Sequence, residues 1–338
     1  MFKKFLFLAA MAVILQARVV LDSDGKEVQV PDVIERATPM IGAFVQVSAM
    51  LGNEERIISG ATRLPPLMEK IFPKIRTSGN QSGMLGSSVE TLIASKTQVV
   101  FGPVGMMFDE NAKKQLEAAG IAVVKVDKMS SVKEIQDSFS KIAQIWGGQS
   151  VQRAKEFNVY FDKNVKFASE RTVKIEPKKR VLVLNFNSGN FSTISSSDIG
   201  AEYIKIAGGI NLSSEISKED FKISKALNEE QVIIFNPDVI ITNSRSSKEQ
   251  IAKNPSFTQL KAVRQGQIFV VPSGVYLWSV RSAEGALYPL WLAKVLYPEN
   301  FTELNLEDEV KKFYLKFYRY ELSDEELRGI LNPGLPRR

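Results

Sequence analysis

Residues 90 to 101 (Glu90-Thr-Leu-Ile-Ala-Ser-Lys-Thr-Gln-Val-Val-Phe101) and 230 to 241 (Glu230-Gln-Val-Ile-Ile-Phe-Asn-Pro-Asp-Val-Ile-Ile241) align without a gap, so the chain reads as one unit built twice. In each copy a Glu opens a short amphipathic helix, and a tetrad (Ser95-Lys96-Thr97-Gln98, or Phe235-Asn236-Pro237-Asp238) breaks it. An apolar β-branched run follows. The downstream order also repeats: Gln115-Leu116 through Gly120 leads into Ile121 to Val126, and Gln259-Leu260 through Gly266 leads into Ile268 to Val271. The strand candidates are near-continuous apolar runs, the pattern of parallel strands covered by helices on both faces. The expectation is an α/β protein of two Rossmann-like lobes with parallel sheets and a ligand cleft between them. A length of 338 residues fits two domains of ordinary size.

The N-terminus has a different character. Met1-Phe2-Lys3-Lys4 is a short basic start, Phe5 to Leu15 is apolar, and Leu15-Gln16-Ala17 ends in a small residue. This reads as a secretory signal peptide over residues 1–17, too short to remain as a membrane span. No Cys follows it to carry a lipid anchor, so the expected location is periplasmic.

Cysteine and histidine are both absent. Without Cys there is no disulfide, thiolate nucleophile or soft metal site. Without His there is no Ser-His-Asp triad and no imidazole ligand for zinc, nickel or haem iron. A metal handled by this chain must meet oxygen ligands or arrive already chelated, and no resident cofactor is expected. The formal charge of +6 includes Lys3 and Lys4, and the remaining charges are interspersed. A nucleic-acid partner, which calls for clustered basic residues, is not expected.

Ser130-Ser131 can cap a helix from Val132 to Trp146, Gly147-Gly148 interrupts it, and a second helix runs from Ser150 to about Lys174, ending before Pro177. At about 25 residues it would be about 37 Å long, the width of a domain. The expected organisation is an N-terminal lobe over 18–145, a connecting helix over 146–176 and a C-terminal lobe over 177–338. A single helix between lobes leaves them little freedom to hinge, unlike a Gly/Ser-rich linker.

Taken in order, the signal peptide, the lobe with Glu90, the connecting helix, and the lobe with Glu230 and Asn236-Pro237-Asp238-Val239-Ile240 resemble the class III substrate-binding proteins of ABC importers. That group captures ferric siderophores, haem and cobalamin. The tract Ser279 to Pro298, the helix Val310 to Tyr320 and the segment Leu322 to Leu327 resemble the closing region of its iron-complex members. The resemblance covers essentially the whole mature chain. It implies a non-enzymatic monomer that binds a small-molecule ligand and docks onto a permease dimer in the inner membrane. In the family one Glu on top of each lobe meets a permease Arg, and these positions correspond to Glu90 and Glu230, with Glu229 an alternative for the second. The stripe Phe313, Tyr314, Phe317, Tyr318 has helical spacing and reads as core packing.

Ligands of such folds lie at loops beyond the carboxyl ends of the strands. The candidate contacts in the first half are Arg63, Asn80, Gln81 and Met106. In the second half they are Asn187, Asn190, Arg245, Tyr276, Trp278 and Arg281. Arg presents a planar fork of donors to carboxylate, catecholate or oxyanion oxygens. Tyr276 can ligate ferric iron or stack, and Trp278 can form a wall. The iron-complex members often use a His that this chain lacks. Three ligand classes stay open: a fully coordinated ferric chelate, which is the first expectation; an oxyanion such as molybdate or tungstate; and a haem or corrinoid, whose axial ligand would have to be Tyr or Met106. Two Rossmann-like lobes also describe nucleotide-sugar enzymes. No Gly-x-Gly-x-x-Gly after a strand, no Gly-Lys-Ser/Thr loop and no spaced carboxylate pair supports that alternative.

Overall fold

The computed structural model describes residues 17–59, 64–77, 88–103, 108–127, 129–215 and 224–334. In the N-terminal lobe strands Ala37–Pro39, Val99–Gly102 and Ala122–Lys125 form a parallel sheet in that spatial order. The short parallel pair Ile58–Ser59 and Arg76–Thr77 continues it through a bridge between Ala37 and Ile57. In the C-terminal lobe Ile210–Asn211, Arg180–Val183, Val239–Thr242 and Ile268–Val270 form the equivalent parallel sheet. Helices connect successive strands, as parallel pairing requires. An antiparallel ribbon of Asn185–Asn187, Asn190–Ile194 and Ser224–Leu227 is added to this second lobe.

The sequence repeat is a structural repeat. Helices Val89–Ala94 and Glu229–Phe235 are capped by Ser88 and Asn228, whose side chains accept from Thr91 N and Gln231 N. Both helices give way to a residue of positive φ at the same register, Lys96 (53°) and Asn236 (37°). Asn tolerates that conformation better than Lys does. The following strands alternate faces identically. Val99 and Phe101, like Val239 and Ile241, point into one large core. Val100 packs outward with Leu92 and Leu116, and Ile240 packs with Val232 and Phe235. Each short helix therefore sits on an outer sheet face over its own small apolar cluster.

Helix Val132–Trp146 breaks at Gly147 and Gly148, whose φ values of 73° and 55° lie where side chains with a Cβ are strained. The connecting helix follows as Gln149–Thr172, a 24-residue element close to the expected 25. Its buried face, Ala154, Phe157, Phe161 and Ala168, belongs to the large core, as do Phe44, Phe101 and Trp146 of the first lobe and Tyr203, Tyr288 and Trp291 of the second. The two lobes thus share a continuous apolar core along this helix. The aromatic stripe Phe313, Tyr314, Phe317, Tyr318 is buried as expected, although its last turn, Tyr314–Tyr318, is a π-helix.

Candidate functional site

The carboxyl ends of the strands in both lobes face a common seam, and polar groups tie the lobes across it. Arg281 donates from Nε to the Met129 carbonyl (2.9 Å) and pairs with Asp198 (3.2 Å). Val132 N donates to Glu202 Oε2 at 2.8 Å. Lys70, on helix Pro66–Ile71, meets Glu326 of the closing helix Asp324–Leu331 at 2.6 Å. Burial alone would raise the Glu326 carboxyl, but Lys70, the Ser323 N–H and the Tyr320 hydroxyl outweigh it and hold it at about 2. A cavity of about 480 Å³ lies at this seam, lined by Pro66 and Lys70 from the first lobe, Ser273 and Gly274 from the second, and Ile330 and Asn332.

Tyr276 stands at the same seam. Its ring lies over the start of helix Gly42–Met50, so that a Cβ on Gly42 would come within 3.0 Å of Tyr276 Cε2 and 3.3 Å of the hydroxyl. Burial pushes the phenol up from its ordinary value. No hydrogen bond from that hydroxyl is found among the described residues. Nearby, Ser279 Oγ donates to Asn243 Oδ1 (3.3 Å), and Asn185 Oδ1 accepts from Asn243 N (2.8 Å). The loops after strands Arg180–Val183 and Val239–Thr242 are therefore locked to the loop carrying Tyr276.

The loop of Tyr276 is held from beneath by a buried carboxylate. Glu284 is fully buried, and every group aimed at it is a donor. Its Oε1 accepts from the Tyr314 hydroxyl and from Val275 N (3.3 Å), and its Oε2 accepts from Tyr276 N (2.6 Å) and Gln46 Nε2 (3.2 Å). Gln46, from the first lobe, also reaches the Tyr318 hydroxyl (2.7 Å) and accepts from Ala283 N (3.0 Å). A Cβ on Gly274 would overlap both the Tyr314 hydroxyl and the Glu284 carboxylate, which fixes glycine there. Burial raises Glu284, the surrounding donors oppose it, and the balance stands at about 7.

The other expected contacts distribute as follows. Arg63, Asn80, Gln81 and Met106 lie outside the described residues, as do residues 1–16. Arg245 begins helix Arg245–Lys253 and pairs with Glu249 one turn on (3.3 Å). Arg281 is occupied by the Met129 carbonyl of the first lobe and by Asp198 of its own lobe. Trp278 differs from its expected place as a cleft wall: it is fully buried in the large core, where an apolar indole gains most from leaving water. Its N–H has no acceptor in hydrogen-bond geometry among the described residues, although the Glu284 carboxylate is near enough to be lowered by it. Asn187 and Asn190 are exposed and pair across a tight hairpin whose turn residues, Ser188 (φ 50°) and Gly189 (φ 84°), have the positive φ of a two-residue turn. That hairpin carries Asn190 to a groove of about 650 Å³ shared with Glu229, Glu230 and Lys253, so Asn190 lies beside Glu230 and not at the seam.

Glu90 and Glu230 are both exposed in the first turn of their helices. Glu90 is held low by its own backbone N–H and the Ser88 side chain. Glu229 is committed to Asn254 (2.7 Å) and lowered by Ser256 and Asn254, which leaves Glu230 as the outward acid of the pair. Gln46 and Glu284 were not among the sequence candidates. The one signal was a lone acid in the apolar tract Ala283 to Trp291.

Two parallel-sheet lobes joined by one long helix, with a seam at the carboxyl ends of their strands, define a bilobed solute-binding protein. Residues 81–275, more than half of the chain, match the model of the periplasmic binding protein family, and the chain belongs to that family. It is 24% identical over 331 residues to the molybdate-binding protein MolA of Haemophilus influenzae, spanning 90% of this chain and 92% of the relative. The solved structure of MolA bound to molybdate superposes with a TM-score of 0.75 at 21% identity, over 90% of this chain and 99% of that one. A periplasmic solute-binding protein of Veillonella parvula superposes with a TM-score of 0.79 at 20% identity, over 94% and 97%. At these identities the structural likeness carries the fold alone. No helix among the described residues is long and apolar enough to cross a membrane.

Proposed function

We propose that this chain captures a small oxyanion of the molybdate class at the seam between its lobes and delivers it to the permease of an ABC importer. The observation that carries the reading is the end-to-end match to a molybdate-binding relative, in a chain without His or Cys. Among the described residues no cluster of acids is arranged to hold a bare cation. An oxyanion needs only hydrogen-bond donors, and Gly-, Ser- and Asn-rich loops with Arg63 supply them. The ferric chelate remains a second reading, supported by the Tyr276 ring at the seam, whose hydroxyl makes no hydrogen bond among the described residues and which offers a chelate a stacking face. Delivery runs through Glu90 and Glu230, one on each lobe, against basic groups of the permease dimer. The chain acts as an exported monomer.

Calorimetric titration of the purified chain with molybdate, tungstate, sulfate and a ferric catecholate chelate tests the cargo. The expected result is saturable one-to-one binding of molybdate or tungstate, weakened by about 1.5–3 kcal/mol in Arg63→Ala through loss of a charged hydrogen bond. Binding of the chelate alone would replace the oxyanion reading with the second one.

A further inference from the structure

Over positions 88–100 and 228–240 the two lobes follow nearly the same pattern of exposed and buried residues. The residues identical in both stretches are Glu90/Glu230, Ile93/Ile233 and Val99/Val239. The valines are core residues, at 0% and 2% exposed, and packing explains them. The isoleucines are 45% and 44% exposed and have no such explanation. Their helices are not misregistered, because Leu92 and Val232 beside them are buried against the outer sheet faces. A lone exposed isoleucine carries nothing; the same one retained at the same register of both lobes, beside the retained acid, does.

Residues three apart on a helix share a face, so Ile93 stands one turn beyond Glu90 and Ile233 one turn beyond Glu230. We propose that each Glu–Ile pair is one docking patch, and that the two patches receive a partner dimer whose identical halves each set a cationic side chain beside an apolar hollow. The acids call for cations by charge complementarity, and the repeat calls for a partner that presents its surface twice. The inference rests on the docking reading above and adds its apolar half. The patches are unequal in one respect: Ile234, 78% exposed, extends the second where Ala94 stands in the first. Burying aliphatic area also contributes a component that salt does not screen, unlike the acid contacts.

Co-sedimentation of the labelled chain with inner-membrane vesicles from the source organism, beside protein-free liposomes of the same lipids, separates the contributions. Glu90→Ala/Glu230→Ala is expected to remove most of the salt dependence of docking. Ile93→Gln/Ile233→Gln is expected to weaken docking at least tenfold while leaving its salt dependence and the unfolding midpoint unchanged. If the Glu double variant loses docking and the Ile double variant stays within twofold, the apolar half is overturned and the docking reading survives. If neither variant changes docking, the docking reading itself fails. Equal loss on protein-free liposomes would assign the isoleucines to lipid and overturn the proposal.

Discussion

Replacing Glu90 and Glu230 together with alanine is expected to abolish transport while leaving ligand affinity unchanged. Both acids lie on short helices at the outer sheet faces, each over a small apolar cluster separate from the large core that both lobes share. Neither side chain is needed for its helix: Ser88 and the reciprocal Asn228–Gln231 contacts cap the two N-termini. An exposed first-turn acid interacts with the helix dipole through screening solvent, so its truncation leaves the helix in place. On the docking proposed above, removal of both charges instead strips each lobe of its contact with a basic permease surface. Uptake by cells carrying the double variant and calorimetry on the same purified protein together give the answer. A parallel fall in affinity would show that docking and capture are not separated between these helices and the seam.

Glu284→Ala is expected to be the most destabilising single substitution at the seam, by about 3–5 kcal/mol, because it removes the acceptor shared by several buried donors. Alanine would leave the Tyr314 hydroxyl and the Tyr276 N–H without their acceptor and take one of two acceptors from the Val275 N–H and the Gln46 amide, which keep the Tyr314 and Tyr318 hydroxyls. Each buried donor left without a partner costs about 1–3 kcal/mol. The same carboxyl gives a pH signature. It titrates at about 7 in the fold against an ordinary 4.5, because burial outweighs the donors around it. The folded state therefore holds the proton more tightly than the unfolded chain. The stabilisation is complete below about pH 4.5 and is lost as pH rises through 7, for a difference of about 3 kcal/mol. Urea midpoints measured between pH 5 and 8.5 should decline for the native chain and flatten in Glu284→Gln, which cannot ionise. An unchanged slope in the Gln variant would assign the pH dependence to other groups.

The repeat made the fold legible. A Glu, a turn and an apolar run recurring after 140 residues placed both helix–strand units correctly, because parallel strands buried on both faces leave an uninterrupted apolar signature. The Gly147-Gly148 break was legible for the same local reason, since only glycine enters that backbone region without strain. The seam was less legible. Tyr276 could be placed there because it follows a recognisable strand, but Trp278, two residues on, turns into the core, and sequence spacing does not fix which side of an irregular loop faces inward. Arg281 and Arg245 looked free because their partners, Asp198 and Glu249, are chosen by tertiary contact and by helix register respectively. The Gln46–Glu284 contact joins residues 238 positions apart, and no local pattern encodes such a pairing.

The most direct measurement incubates the natively purified chain with molybdate, tungstate, sulfate and a ferric catecholate chelate in equal amounts, desalts it, and records its elemental content and visible spectrum. A colourless protein carrying one equivalent of molybdenum or tungsten is the predicted result. Stoichiometric iron with a charge-transfer band would contradict it and make the chain a carrier of ferric chelates.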